Sequence, residues 1–275
     1  MKKAALTACS DPLTLDRKGE VNALKSVLAS FGLSVTESEY LYDQRLAGRG
    51  PKRGAELTSF FLNPDMAYIF DVSGGDLANT VLPYIDFPAI KDSRAAFFGY
   101  SDLTTILNAL VKNGNTAVNF QARNLIYDHS REEQYYFNEQ VLSGKFAPEC
   151  LKATFLRGSE LRGEVLGGNL RCLLKLAGTE YWPDFSGKIL LLESYGGGVY
   201  RIATLLEQCR QLGLFDQVSG ILLGTFTELE EKGQESTVYD LLKEITPASL
   251  PIAWTHYIGH YTDARALALG REIVL

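Results

Sequence analysis

What this 275-residue chain has least of narrows its chemistry first. Its four cysteines, Cys9, Cys150, Cys172 and Cys209, show no C-x-x-C spacing, so neither a thiolate zinc site nor a dithiol redox motif is written into it. Its three histidines, His129, His256 and His260, form no H-E-x-x-H pattern, and none lies near a cysteine. No metal site is therefore expected. No apolar stretch approaches the roughly 18 residues that cross a bilayer. Runs of Lys and Arg are missing too, and a net charge of −6 argues against a nucleic-acid partner. The one basic cluster, Arg45 to Arg53, is glycine-rich and reads as a solvated loop. Internal repeats and low-complexity segments are absent.

Met1-Lys-Lys followed by Leu6-Thr-Ala-Cys9 faintly mimics a lipoprotein signal, but its apolar part is five residues long. A working signal core needs about 7–15. The segment reads instead as a first buried strand, and the cysteines as reduced and buried. The expected location is cytoplasmic.

What is present is ample apolar material, 46% of the residues, enough for one large core or two smaller ones. Strand and helix patterns alternate through the first half. Strands are expected at Lys2 to Ala8, Leu33 to Thr36, Met66 to Val72, Ala95 to Phe98 and Ala117 to Phe120. Helices are expected at Glu20 to Phe31, Arg53 to Leu62, near Leu77 to Ile85, from Asp102 onward and at Glu132 to Leu142. This is the signature of an α/β domain, a parallel sheet with helices on both faces. Ser143 to Pro148 reads as a linker. Beyond it the rhythm changes to short strands with glycine-rich breaks: Ala153 to Leu156, Arg162 to Leu166, Lys188 to Leu192, Gly220 to Phe226 and Ile252 to His256. Helices at Tyr200 to Leu212 and Val238 to Ile245 lie among them. The expected division is an N-terminal domain, 1–145, and a smaller α+β C-terminal domain, 146–275.

Three strands end on groups that suit one another: Met66 to Val72 on the double glycine Gly74-Gly75, Ala95 to Gly99 on Ser101, and Lys188 to Leu192 on Glu193. Ala95-Ala-Phe-Phe-Gly99 runs into Tyr100-Ser101-Asp102, a tight turn before a helix, where a serine hydroxyl is pushed out of the sheet. An ordinary helix N-cap is the competing explanation for Ser101. The run Lys188 to Leu192 ends on Glu193, which reads either as a functional carboxylate or as a cap or surface residue. His260 follows the strand ending at His256, with Gly259 before it to permit a sharp turn. His256 itself reads as a packed strand residue and His129 as part of a surface turn. A serine becomes a useful nucleophile when a neutral imidazole takes its proton. That imidazole needs a carboxylate on its other nitrogen. Ser101, His260 and Glu193 fit these roles, with the backbone N–H groups of Gly75 (or Gly74) and Asp102 as oxyanion donors.

The blocks Phe97-Phe-Gly-Tyr-Ser-Asp102, Gly167-Gly-Asn-Leu170, Gly178-Thr-Glu-Tyr-Trp-Pro-Asp-Phe-Ser-Gly-Lys-Ile-Leu-Leu-Leu-Glu193 and Gly259-His260 resemble the LD-carboxypeptidase family. That family comprises muramoyltetrapeptide carboxypeptidases and microcin-C-immunity peptidases. The resemblance implies Ser101 as nucleophile, Glu193 as orienting carboxylate, His260 as general base, and Gly75 and Asp102 as oxyanion-hole donors. It also implies a Rossmann-like N-terminal domain with a smaller C-terminal domain, and a homodimer without metal or organic cofactor, acting on a peptide or peptidyl-conjugate substrate. The favoured activity is release of a terminal D-amino acid from peptidoglycan-derived peptides. Arg123, Arg171 and Arg201 are positional candidates for binding the substrate carboxylate.

Departures from the family pattern leave alternatives open. Ser73 stands where an Arg commonly precedes the double glycine, and Ala268 where a proline is expected. Detoxification of aminoacyl- or peptidyl-nucleotides is the second reading, with Trp182 either stacking on a base or packing its own motif. A non-catalytic small-molecule-binding protein is the third.

Overall fold

Apolar runs that are covered on both faces make parallel strands joined by helices. In the computed structural model, which describes residues 2–127, 130–146 and 148–275 and only the backbone of Ser130, this happens twice. His129 of the expected surface turn and Ala147 of the expected linker lie outside the described residues.

The first unit runs to Phe146 and takes in the returning segment Ala266–Ala268. Its elements are β1 (Lys2–Thr7), α1 (Lys18–Ser30), β2 (Leu33–Glu37), α2 (Arg49–Leu62), β3 (Met66–Asp71), α3 (Phe87–Ile90), β4 (Ala96–Gly99), α4 (Thr104–Lys112), β5 (Thr116–Asn119) and α5 (Ser130–Tyr136). The strands lie in the order β5-β4-β3-β1-β2, all parallel. Strand order therefore reverses between β1 and β3, and in open α/β sheets the crevice beyond the carboxyl ends at such a point is where ligands bind. The backbone ties the two exits together there: Val72 N–H donates to Thr7 O (3.0 Å) and Asp11 N–H to Gly74 O (3.3 Å). One core face is aromatic, with Phe70 and Phe98 rings 4.8 Å apart and Phe120 and Phe137 5.0 Å apart.

The second unit holds β6 (Thr154–Arg157), β7 (Arg162–Asn169), α6 (Leu170–Leu174), β8 (Ile189–Ser194), α7 (Gly198–Gln211), α8 (Leu214–Gln217), β9 (Gly220–Phe226), α9 (Thr227–Glu231), α10 (Ser236–Ile245) and β10 (Ile252–Trp254). Two short strands follow, β11 (Leu267–Leu269) and β12 (Glu272–Val274). The second sheet runs β12-β7-β8-β9-β10-β6, parallel through its four central strands and antiparallel at both edges. β11 instead joins the first sheet beside β5.

Several local expectations shift. The segment near Leu77 to Ile85 forms two 3-10 turns, Ala78–Thr80 and Leu82–Tyr84, not one helix. The basic cluster is not a solvated loop throughout. α2 starts at Arg49, and Arg49 and Arg53 are 4% and 2% exposed. They lie one helical turn apart and cap the exit of β1: Arg49 Nη2 donates to Cys9 O (2.9 Å) and Arg53 Nε to Ala8 O (2.8 Å). His256 lies beyond the end of β10, where its Nε2 sits 3.1 Å from Asp263 Oδ2 and its ring stacks on Tyr261 at 5.0 Å. Cys9, Cys172 and Cys209 are buried thiols, while Cys150 is half-buried. Among the described residues no helix is long and apolar enough to cross a membrane.

Candidate active site

Ser101 leaves β4 through a corner that only a small residue permits. A Cβ on Gly99 would lie 2.8 Å from Leu103 Cβ and 3.2 Å from the Phe97 ring. Tyr100 is extended, and Leu103 N–H closes the turn on Tyr100 O at 3.0 Å. Ser101 itself has φ 54°, a left-handed conformation that a residue with a Cβ seldom adopts. It is no N-cap: Tyr100 holds that position for the 3-10 turn Ser101–Leu103, and neither the turn nor α4 receives a side-chain cap. Strain of this kind collects at functional positions.

The two turns beside it are braced by buried carboxylates. Asp102 is fully buried, and its Oδ2 accepts from Ser10 Oγ (2.7 Å) and Ala78 N–H (2.8 Å). It thus joins the β4 exit to the β1 exit and to the chain just past the double glycine. Asp71, at the end of β3, accepts from Cys9 N–H (2.7 Å), Thr7 Oγ1 (3.1 Å), Ser73 N–H (2.9 Å) and Ser73 Oγ (2.5 Å). Burial pushes the Asp71 carboxyl up, against the pull of its Ser73 and Cys9 donors. Ser73 is consumed in this network, since its Oγ also accepts from Ser10 N–H (2.9 Å). Gly75 has φ 131°, and a Cβ there would fall 2.2 Å from Asp11 Cγ. Asp11 in turn accepts from Asp76 N–H at 3.0 Å. The glycine is therefore required twice, for its backbone angle and for the carboxylate lying against it. Sequence reasoning passed over Asp11 and Asp71. Their signal was a lone acid ending or following an apolar strand, as at Glu193.

In the second unit, Glu193 sits where the β8–β9 register shifts between Leu192 and Ser194. Such irregularities re-aim a side chain at the rim of a sheet. The loop after β10 comes back over the end of β9: Thr225 N–H donates to Ile258 O (2.8 Å). A Cβ on Gly224 would fall 2.4 Å from Ile258 O, and one on Gly259, at φ 143°, would fall 1.9 Å from Thr225 Oγ1. The two glycines let the loop settle onto the sheet edge. His260 Nδ1 consequently lies 2.9 Å from Glu193 Oε2, with side chains only 9% and 4% exposed. The Tyr195 ring packs on the imidazole at 5.0 Å.

The remaining motif residues divide similarly. Gly167 abuts Leu191 O, with 2.3 Å to a notional Cβ, and Asn169 caps α6 by accepting from Cys172 N–H. Both are explained by packing. Trp182 is half-buried and lies 5.1 Å from the Phe185 ring. Arg201 is exposed and Arg171 half-buried, whereas Arg123 is 8% exposed. Glu228 accepts from Gly197 N–H (2.5 Å) and Gly198 N–H (3.2 Å) at the start of α7 and pairs with Lys232 (2.5 Å). The Lys232 contact, then those N–H groups, hold its carboxyl down at about 2.

Comparison with known proteins agrees with this architecture. Residues 4–121 match the LD-carboxypeptidase N-terminal domain and residues 162–275 the LD-carboxypeptidase C-terminal domain. A probable murein peptide carboxypeptidase of Bacillus subtilis (strain 168) is 26% identical over 90% of this chain and 81% of its own length. The microcin C7 self-immunity protein MccF of Escherichia coli is 24% identical over 83% of this chain and 76% of its own. A structure of MccF in complex with aspartyl sulfamoyl adenosine superposes with a TM-score of 0.85 at 19% identity, covering all of this chain and 92% of that one. With both domains matched in order, the chain belongs to the LD-carboxypeptidase family.

Proposed function

We propose that the protein is a serine carboxypeptidase that removes a terminal D-amino acid from peptidoglycan-derived peptides. Ser101 Oγ attacks the scissile carbonyl while His260 Nε2 takes its proton. Glu193, against Nδ1, fixes the tautomer and stabilises the imidazolium that forms. The N–H groups of Gly75 and Asp102 receive the oxyanion, a contribution worth about 10²–10³ in rate per donor. Collapse expels the amino acid, protonated by His260, and leaves an acyl-serine. Water, deprotonated by the same imidazole, then releases the shortened peptide.

The observation that carries this reading is the left-handed backbone of Ser101 at the β4 exit. A merely structural serine would gain nothing from that conformation. The buried Glu193–His260 pair and the murein peptide carboxypeptidase among the relatives support it further.

The test is mass spectrometry of wild-type protein and Ser101→Ala with a muropeptide tetrapeptide, beside an aminoacyl sulfamoyl adenosine. Loss of one D-alanine by the wild type alone is the expected result. Cleavage of the nucleotide conjugate alone would move the activity to detoxification. A Ser101→Ala protein as active as wild type would overturn the mechanism.

A further inference from the structure

An enzyme that trims one residue from a peptide end must recognise the free carboxylate just beyond the scissile bond. We propose that Arg123 is the residue that binds it, an inference that rests on the carboxypeptidase reading above.

The placement follows from the sheet. β5 lies beside β4, with Asn119 in register with Gly99 and Phe120 N–H donating to Gly99 O at 2.8 Å. The chain then turns through the 3-10 segment Ala122–Ile126 at the carboxyl edge, next to the β4 exit. The Arg123 guanidinium reaches the residue that precedes Ser101, with Nη2 3.4 Å from the Tyr100 hydroxyl. That same hydroxyl lies 3.6 Å from where a Cβ on Gly74 would stand. The phenol thus spans from the double-glycine turn to the guanidinium. An anion held by Arg123 would sit beside both the nucleophile's turn and the proposed oxyanion donors.

The charge of Arg123 is poorly met by the protein. Its side chain is 10% exposed, yet its one ion pair among the described residues is Nη1 to Glu20 Oε2 at 3.4 Å. A well-formed charge-assisted contact is about 2.7–2.9 Å. Glu20 is 39% exposed and shares the same oxygen with Arg17 at 3.5 Å. Nη2 has a second acceptor in Gln121 Oε1 (3.1 Å), and Nε, although buried, has no partner. A desolvated guanidinium with one long, shared ion pair stands to gain from a carboxylate that fits its fork.

The other two buried arginines at this edge differ in kind. Arg49 and Arg53 donate to the main-chain carbonyls of Cys9, Ala8, Tyr40 and Asp43, which cannot move aside without unfolding the turns. Arg123's partners among the described residues, Glu20, Tyr100 and Gln121, meet it with side-chain atoms that can rotate away when a ligand arrives.

The experiment compares an Nα-acyl L-Lys-D-Ala peptide with its C-terminal amide. Calorimetry on Ser101→Ala reads binding without turnover, and kcat/KM is measured on otherwise wild-type protein. The expected result is tighter binding of the acid, a preference lost in Ser101→Ala/Arg123→Gln. In single Arg123→Gln, kcat/KM for the acid should fall by about tenfold to a hundredfold, as removal of one charged hydrogen-bonding partner implies. The amide should change less than about threefold. Arg123→Lys should restore part of the preference. An Arg123→Gln protein that melts like wild type and still prefers the acid overturns the proposal, as does a Ser101→Ala protein that binds both peptides alike. If wild type cleaves neither peptide, the carboxypeptidase reading fails, while an Arg123-dependent binding preference for the acid would still uphold the anchor.

Discussion

Glu193 and His260 are far apart in the chain, yet Oε2 of one lies 2.9 Å from Nδ1 of the other in a nearly solvent-free setting. Two features make the meeting possible: the register shift at the end of β8, and the glycine-permitted approach of the Tyr257–His260 loop to β9. The Nδ1 edge of the imidazole is thereby set against the carboxylate.

Replacing Glu193 by Gln keeps the volume and removes the charge. The Gln variant should remain folded and lose about 10²–10⁴ in kcat, the range attributed to general-base assistance. Steady-state kinetics on the tetrapeptide, beside a thermal melt, check this. Near-normal turnover in a folded Glu193→Gln protein would remove the carboxylate from the mechanism.

Ser101 should be stabilised by the substitution that destroys it. A left-handed conformation costs a residue with a Cβ roughly 1–2 kcal/mol, while glycine's extra chain entropy returns about 0.5–1 kcal/mol of that. Ser101→Gly should therefore be more stable than Ser101→Ala by about 0.5–1 kcal/mol. Urea denaturation of the two inactive variants is the measurement, and equal midpoints would show that the backbone at 101 is unstrained.

Gly259 tests how the histidine loop is seated. A methyl group there would fall 1.9 Å from Thr225 Oγ1, on a backbone at φ 143°. Gly259→Ala should cost about 2–4 kcal/mol from overpacking and strain together. Adding Thr225→Ala removes the nearest atom and should recover part of that loss, leaving the backbone penalty. A Gly259→Ala protein with an unchanged denaturation midpoint would mean the loop does not rest on β9.

Glu228 sets a pH dependence with a definite sign. Its carboxyl is lowered from 4.5 to about 2 by Lys232 and the Gly197 and Gly198 N–H groups. A depressed folded-state value means its stabilisation is fully present above about 4.5 and is lost as pH falls toward about 2. The stability gap between wild type and Glu228→Gln should accordingly be widest near neutrality and close on acidification across that window. Melting curves from about pH 6 down to about pH 2.5 measure the gap. A gap of constant size would assign the pH dependence to other groups.

Much of the fold is legible in the chain because strands covered on both faces leave continuous apolar runs. Met66 to Val72, Lys188 to Leu192 and Gly220 to Phe226 each appear close to where the sequence places them. The edge strands β11 and β12 went unread: they are three residues long and carry too little pattern to separate from coil. Arg49 and Arg53 were misread because a charge cluster ordinarily faces water. Only the approach of α2 to the β1 exit puts main-chain carbonyls within reach of their guanidinium groups. His256 was placed in a packed strand, since nothing local distinguishes a strand's last residues from the turn that follows.

By itself the sequence determined which residues could be reactive. It set Ser101 at a strand-to-helix corner, ended an aliphatic strand on Glu193, and put a glycine before His260. These are local matters of backbone geometry and hydrophobic periodicity. Tertiary structure alone decided that Glu193 and His260 meet, that Ser73 is absorbed by Asp71, and that Asp102 braces three turns. It also singled out Arg123, among three arginines equally visible in the chain, as the guanidinium beside Tyr100. Such pairings depend on register and on how closely two backbones approach, and no stretch of sequence encodes those distances locally.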